Sequence, residues 1–221
     1  MKLSATLALV LCCAAATAQT HYVRFATPKG NITVMLYDDT PLHRDNFLSG
    51  IKTGMFKNAA FNRVIKSFVS QGGELDQTIE DREKLHPDLP QQRVAAEIVP
   101  RYFHKKGALG AGRNDNVQKN SFVDQIYFVA GKVQSDEQLD KIERKRGVKF
   151  PEAQRSVYKT MGGTPQLDGN YTIFGEIVQG LDVAEALNSV ATDKSDLPLE
   201  SLKFKLTELN RREIARLKAL N

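Results

Sequence analysis

Tryptophan is absent from the 221-residue chain, and cysteine occurs only twice, side by side at Cys12 and Cys13. Two adjacent cysteines cannot build a disulfide scaffold. The four histidines, His21, His43, His86 and His104, form no pair with metal-ligand spacing on one helix, and HExxH is missing. They are read as structural residues, and no metal and no cofactor is expected. No GxSxG, P-loop or GxGxxG occurs, and Gly110-Ala111-Gly112 is too short to be a dinucleotide loop. Acidic pairs such as Glu80-Asp81 lie in a polar stretch and read as solvated. No period of 20–50 residues repeats, which excludes solenoids and propellers. Neither sign of charge dominates. The formal net charge is +5, with Lys and Arg spread along the chain rather than gathered on one face, so no nucleic-acid partner is expected. Hydrophobic residues at 41% and charged residues at 26% are ordinary for a globular protein.

The one long apolar run is at the N-terminus. Lys2, the stretch Leu3 to Ala16 and then Ala16-Thr17-Ala18 have the form of a charged region, an apolar region and a small-residue cleavage site. Residues 1–18 are read as a signal peptide cut before Gln19, which places the protein in the periplasm or outside the cell. The apolar run is short of the roughly 20 residues of a membrane span, so no span is expected after cleavage. A lipid anchor at Cys12 or Cys13 is the weaker alternative, because the flanking Leu-Val-Leu lacks a small residue. Both cysteines leave with the signal, so the mature chain has no thiol chemistry.

The remainder reads as one domain over 19–209 and a basic amphipathic tail over 210–221. Tyr22 to Thr27 and Ile32 to Tyr37 alternate as strands around the turn Pro28–Asn31. Thr40 is placed to cap a helix that starts at Pro41 and stops at Gly54. Strands are expected at Phe61 to Ile65 and Phe68 to Ser70, closed by Gly72-Gly73, with a polar loop over 74–92. Further strands are expected at 107–109, Gln125 to Val129, 171–178 and 202–206, and a second core helix at Leu181 to Val190. Residues 135–161 differ. Ser135 with Gln138 makes a capping box and Gly147 a stop, and Pro151 opens a second helical run. This is a helical insertion packed by Leu139, Ile142, Phe150, Val157 and Met161. It reads as a solubilising decoration or as a selectivity element. Many short strands with two core helices indicate a mostly β fold: a closed eight-stranded antiparallel barrel capped by two helices.

The most specific stretch is Phe61-Asn62-Arg63-Val64-Ile65 followed by Phe68-Val69-Ser70-Gln71-Gly72-Gly73. Strand alternation puts Phe61 and Arg63 on one face, which by itself fits a barrel strand with a snorkelling arginine. The stretch resembles the F-H-R-V-I and F-x-x-Q-G-G motifs of the cyclophilin family of peptidyl-prolyl isomerases. Gly107 to Arg113, Asp124 to Phe128 and Leu167 to Gly175 resemble three further motifs of that family, in its order. The resemblance runs from about Tyr22 to Leu209.

It implies isomerisation of Xaa-Pro bonds in proline-containing segments of client proteins, by an exported, monomeric folding enzyme. Arg63 would be catalytic. Phe68, Val69, Tyr127 and Leu167 would hold the proline ring. Gln71 would position polar groups with Arg63, Gly112 and Arg113 would offer backbone groups, and Gln125 would border the groove. Several positions depart from the family pattern: Asn62 for His, Val69 for Met, Gly112 for Ala, Asp124 for Ser, Ile126 for Phe and Tyr171 for His. Gln166 stands where cyclosporin-sensitive members carry Trp, which implies weak binding of that drug. Two alternatives stay open: a non-catalytic peptide-binding or chaperone module, and an interaction protein that docks a partner through the insertion and tail.

Overall fold

In a computed structural model of the chain, residues 20–219 are described; the signal-peptide and lipid-anchor expectations for residues 1–18 fall outside them. Ten strands and six helices follow one another: β1 (Tyr22–Thr27), β2 (Gly30–Leu36), α1 (Pro41–Thr53), β3 (Phe61–Ile65), β4 (Val69–Gly73), α2 (Asp76–Leu85), β5 (Arg93–Val94), β6 (Ala108–Ala111), β7 (Ser121–Phe122), β8 (Gln125–Val129), α3 (Asp136–Arg146), α4 (Glu152–Thr160), β9 (Ile173–Gln179), α5 (Leu181–Asn188), β10 (Lys205–Glu208) and α6 (Arg211–Ala219). A short 3-10 helix, Pro165–Leu167, precedes β9.

Eight strands form one antiparallel sheet in the order β10-β1-β2-β9-β6-β8-β4-β3, and β5 pairs with β7 separately. The sheet is a half-barrel, which corrects the expected closed barrel. Its edge strands β3 and β10 share no ladder. Between them lie only an isolated bridge, Ala60 to Lys203, and the flanking bonds Phe61 N–H to Leu202 O at 3.1 Å and Phe204 N–H to Ala59 O at 3.0 Å. The cause is local. Val64 N–H donates instead to Asp196 O at 2.8 Å. Asp196 has φ +62°, a left-handed conformation that an extended strand cannot hold.

The concave face packs around Phe25, whose ring meets Phe128 edge-on at 5.0 Å and lies 5.5 Å from Phe204, with Phe47 and Phe61 also against it. Helix α1 brings Phe47 and Leu48 into this core, and α5 brings Ala184 and Leu187. The N-terminus of α1 is not capped as expected. Thr40 makes no side-chain cap. The carboxylate of Glu97, 54 residues beyond His43, instead accepts from Leu42 N at 3.0 Å and His43 N at 2.9 Å, and from the His43 ring at 2.7 Å.

Residues expected as loop between 74 and 92 contain α2. Its N-cap is Leu75 and it buries only Ile79, so neither a cap nor an apolar stripe marked it. Gly72 and Gly73 lie inside β4 rather than closing it. A Cβ on Gly73 would overlap the Asp124 carbonyl, so glycine lets the two backbones meet. The Ser135/Gln138 capping box and the left-handed Gly147 stop are both present. The insertion packs through Leu139, Phe150 and Tyr158 with Phe103 and Ile142; Val157 is half-buried and Met161 exposed. The tail forms α6, which lays Leu217 on Tyr22 and Leu209. No helix among the described residues is long and apolar enough to cross a membrane.

Glu97→Ala strips three donors of their shared acceptor, two of them orphan N–H groups at a helix start. It should lower unfolding free energy by about 2 kcal/mol, read from urea denaturation at unchanged slope.

Candidate active site

Strand register assembles one face of the sheet into a row. Arg63 on β3 stands opposite Gln71 on β4, Gln71 opposite Tyr127 on β8, and Tyr127 opposite Gly110 on β6. Neighbouring strands lie about 4.8 Å apart, so a cation, a carboxamide and an aromatic ring follow one another at regular spacing.

A bulge in β3 makes this possible. Phe61 pairs with Gly72 and Arg63 with Gln71, so two steps on β3 match one on β4. Phe61 therefore turns into the core with Val64, while Arg63 points outward with 41% of its side chain exposed. The expected sharing of a face by Phe61 and Arg63 is wrong for that reason. Asn62, the residue between them, donates from Nδ2 to Gly73 O at 2.6 Å; its Oδ1 is buried without a partner.

Arg63, Phe68, Val69, Gln71, Gly112, Arg113, Gln125, Tyr127, Leu167 and Tyr171 line one cleft of about 90 Å³. Gln166 does not join them. It is exposed on the 3-10 helix beside Leu167. The Arg113 guanidinium lies 4.7 Å above the Tyr171 ring and donates to Asn170 O at 2.7 Å, so it fixes a wall. The Gly112 backbone is already occupied, its N–H donating to Gln125 O and its carbonyl accepting from Phe122 N. The Gly112 N–H is thus committed within the sheet, and its carbonyl has one lone pair already engaged.

Three residues of the site carried no expected role. Asp76, the first residue of α2, also lines the cleft, and its carboxylate accepts from Gln71 Nε2 at 2.9 Å and from Gln125 Nε2. Gln71 is thereby oriented, with its Oε1 left to accept from Arg63 Nη1 at 3.3 Å. His104 and Asp168 lie behind the floor. His104 Nδ1 is 2.8 Å from Asp168 Oδ1, and His104 Nε2 is 2.8 Å from the Tyr127 hydroxyl. In the tautomer whose Nδ1 proton faces the carboxylate, His104 Nε2 accepts and the Tyr127 O–H donates. Burial, then the charges of Tyr171 and Asp168, keep that phenol protonated well above its ordinary range. Asp168 was visible inside Leu167-Asp168-Gly169; nothing in the spacing of His104 linked it to either partner.

A second cleft of about 450 Å³ opens between α2 and the 122–124 segment. It holds a carboxyl pair. Burial, then the hydrogen bond and charge of Glu74, push Asp124 up to about 6. Burial also opposes charge on Glu74, but the hydrogen bonds from Arg82 and from the Asp124 carboxyl outweigh it and hold Glu74 below its usual range.

Comparison with known proteins agrees with this geometry. The family model described as cyclophilin type peptidyl-prolyl cis-trans isomerase matches residues 22–208. Peptidyl-prolyl cis-trans isomerase CYP18-2 of Arabidopsis thaliana is 26% identical over 85% of this chain and 92% of its own length. Peptidyl-prolyl cis-trans isomerase ppi1 of Schizosaccharomyces pombe is 28% identical over 82% and 94%. A crystal structure of a cyclophilin type peptidyl-prolyl cis-trans isomerase from Cryptosporidium parvum shares the fold, with TM-score 0.63 at 20% identity, over 87% of this chain and 99% of that one. The chain belongs to the cyclophilin family and is a peptidyl-prolyl cis-trans isomerase of that type.

The Asp124 shift has a consequence for stability. Between about pH 4 and 6 the folded protein holds a proton on Asp124 that the unfolded chain has released, so this group's contribution is lost as pH rises through that window. Asp124→Asn, which cannot titrate, should gain stability relative to the unaltered protein from pH 4 to 6.5, measured as urea midpoints.

Proposed function

We propose that isomerisation takes place in the Arg63 cleft, with Arg63 as the catalytic residue and the substrate proline ring seated on Tyr127 between Phe68, Val69 and Leu167. The register row of Arg63, Gln71 and Tyr127 carries this reading. It places a guanidinium about two strand spacings from an aromatic floor, with a carboxamide between them.

The reaction breaks no covalent bond. Resonance holds the Xaa-Pro amide planar behind a barrier of about 20 kcal/mol, and spontaneous turnover takes roughly 10–100 s. In the twisted transition state the proline nitrogen loses conjugation and gains a usable lone pair. A guanidinium aimed at that nitrogen binds the twisted state better than the planar one, and only such differential binding accelerates a reaction. Burial of Val69 and Tyr127 gives the ring an apolar seat, while the chain on either side turns in solvent.

Clients are proline-containing segments of exported proteins, and the site of action is the periplasm or the exterior. The leader-like residues 1–18 support this. A Cryptosporidium relative crystallised in the presence of the dipeptide Ala-Pro has the same fold, with TM-score 0.61 at 21% identity, in keeping with a proline-peptide ligand here.

A protease-coupled assay on a proline tetrapeptide tests the assignment. Arg63→Ala should lower kcat/KM by about 10²–10³ with little change in urea midpoint, because the side chain is half in solvent. Arg63→Lys should also be impaired, since a point charge does not reproduce the planar fork. Near-normal turnover by Arg63→Ala would remove Arg63 from the mechanism, and absence of turnover in the unaltered protein would favour a peptide-binding module.

A further inference from the structure

The insertion expected to be decoration or a client selector touches the floor of the proline pocket through a chain of hydrogen bonds. Asp168 is the hub. Its Oδ1 accepts from the His104 backbone N–H and from His104 Nδ1, both at 2.8 Å. Its Oδ2 accepts from the Tyr158 hydroxyl at 2.6 Å and from Gln154 Nε2 at 2.7 Å. The first two donors stand behind the pocket; the last two belong to α4. A third insertion residue, Arg146 of α3, donates to the carbonyls of Pro165 and Asp168, on the turn that carries Leu167.

We propose that Tyr158 and Gln154 are positioning residues for the proline pocket: they fix the Asp168 carboxylate, which fixes His104, which holds the Tyr127 hydroxyl and so sets the pocket floor. This inference rests on the reading of the Arg63 cleft as the isomerase site.

Tyr158 is well suited to this role. Its ring is fully buried, edge-on to Phe103 at 5.4 Å and to Phe150 at 5.9 Å. Its hydroxyl therefore cannot follow the carboxylate if Asp168 moves. Asp168 is mostly buried, with 12% of its side chain exposed, and two donors on each oxygen satisfy it. Taking a donor from a desolvated carboxylate leaves a charge that must find another partner, and the nearest way to do so is to re-aim. His104 Nδ1 would then lose its fixed acceptor, and with it the tautomer that makes Nε2 the acceptor for Tyr127. The Tyr127 ring has little slack to absorb the change, because a Cβ on Gly110 would already overlap it. Insertion, hub, imidazole and floor thus form one chain of four groups joined by three hydrogen bonds.

A double-mutant cycle between Tyr158→Phe and Tyr127→Phe tests the chain. Both changes keep a ring and remove only a hydroxyl, one at each end. The readouts are kcat and KM for an Ala-Pro tetrapeptide and, independently of turnover, Kd for a fluorescein-labelled version of that peptide by anisotropy. Tyr158→Phe should raise KM and Kd about 3- to 10-fold, only part of the worth of one hydrogen bond to a charged group because the lost bond is three groups from the ligand, with kcat within about twofold. In the Tyr127→Phe background the same change should move Kd by less than about twofold, because the chain is already cut at its far end. An effect that is the same factor in both backgrounds, or no effect in the first, overturns the proposal and returns Tyr158 to packing the insertion. If Tyr158→Phe does not fold, Gln154→Met replaces it in the cycle with the same expected coupling, since it empties the same carboxylate oxygen from a half-buried position. Absence of turnover in the unaltered protein with peptide binding intact would refute the isomerase reading alone, and the Kd cycle would still decide the role of Tyr158. Absence of both turnover and binding would overturn both.

Discussion

Asn62 is the extra residue that separates Phe61 from Arg63, and the groove depends on that separation. A regular β3 would send both side chains to one face: a guanidinium into the phenylalanine core, or a core phenylalanine into solvent. Burying an unpaired cation costs many kcal/mol, and exposing Phe61 about 2–3 kcal/mol. One extra residue avoids both costs and turns Arg63 into the row with Gln71 and Tyr127. The bulge is pinned from the side, since Asn62 Nδ2 holds the Gly73 carbonyl, and Gly73 can lie against β8 only because it lacks a Cβ. Position 62 therefore acts on the row of Arg63, Gln71 and Tyr127 through the backbone, by tying β3 to β4.

One departure from the family's pattern, Gly112, is coupled to the polar groups around it. A Cβ on Gly112, where the family commonly has alanine, would overlap the carboxamide of Gln125. Glycine there lets Gln125 fold across to Asp76 and the Glu74 carbonyl, and Asp76 in turn orients Gln71. The absence of one methyl group thus connects β6, β8 and the start of α2. Helix α2 has little else to hold it, with one buried apolar residue. Its docking is polar, through Asp76 and through the Glu83 and Arg93 pair at 2.5 Å.

Cleft residues that share one segment could be read from the sequence. Arg63, Phe68 and Gln71 lie in one run, Tyr127 in another and Leu167 in a third, and ordered motifs identify all three runs. The helix starts and stops of the insertion were equally readable, because a capping box and a left-handed glycine act within a few residues. Relations between segments were not readable. The cap of α1 comes from Glu97, far along the chain, so Thr40 looked sufficient. The bulge breaks the period of two on which strand faces are assigned, and Asn62 carries no local mark of it. Closure of the barrel failed for a similar reason, since the conformation of Asp196 is set by the loop it belongs to. Tyr158 was missed as the buried residue of α4 in favour of Val157 and Met161. Its ring is drawn inward by Phe103 and its hydroxyl by Asp168, and both partners come from outside the helix.

Charge is handled differently on the two sides of the cleft. Asp168 sits behind it with four donors, and Asp76 at its edge faces two carboxamides, so each carboxylate is satisfied and held. Arg63 is held but not neutralised. Its contact with Gln71 is 3.3 Å and its acidic neighbour Asp196 is 3.9 Å away, both on the exposed side of β3. A bidentate carboxylate would fix the guanidinium more firmly, but it would also occupy the fork and cancel the field that a pyramidal nitrogen is to feel. A reaction that only twists a bond draws nothing from proton transfer or nucleophilic attack. In the mechanism we propose, its rate depends on how much of one cation's field reaches one nitrogen, and on how firmly the ring beside that nitrogen is gripped. A loosely tethered arginine over a rigidly braced floor meets both demands of that proposal: the firm hydrogen bonding of this cleft lies behind Tyr127, and the freedom lies with Arg63.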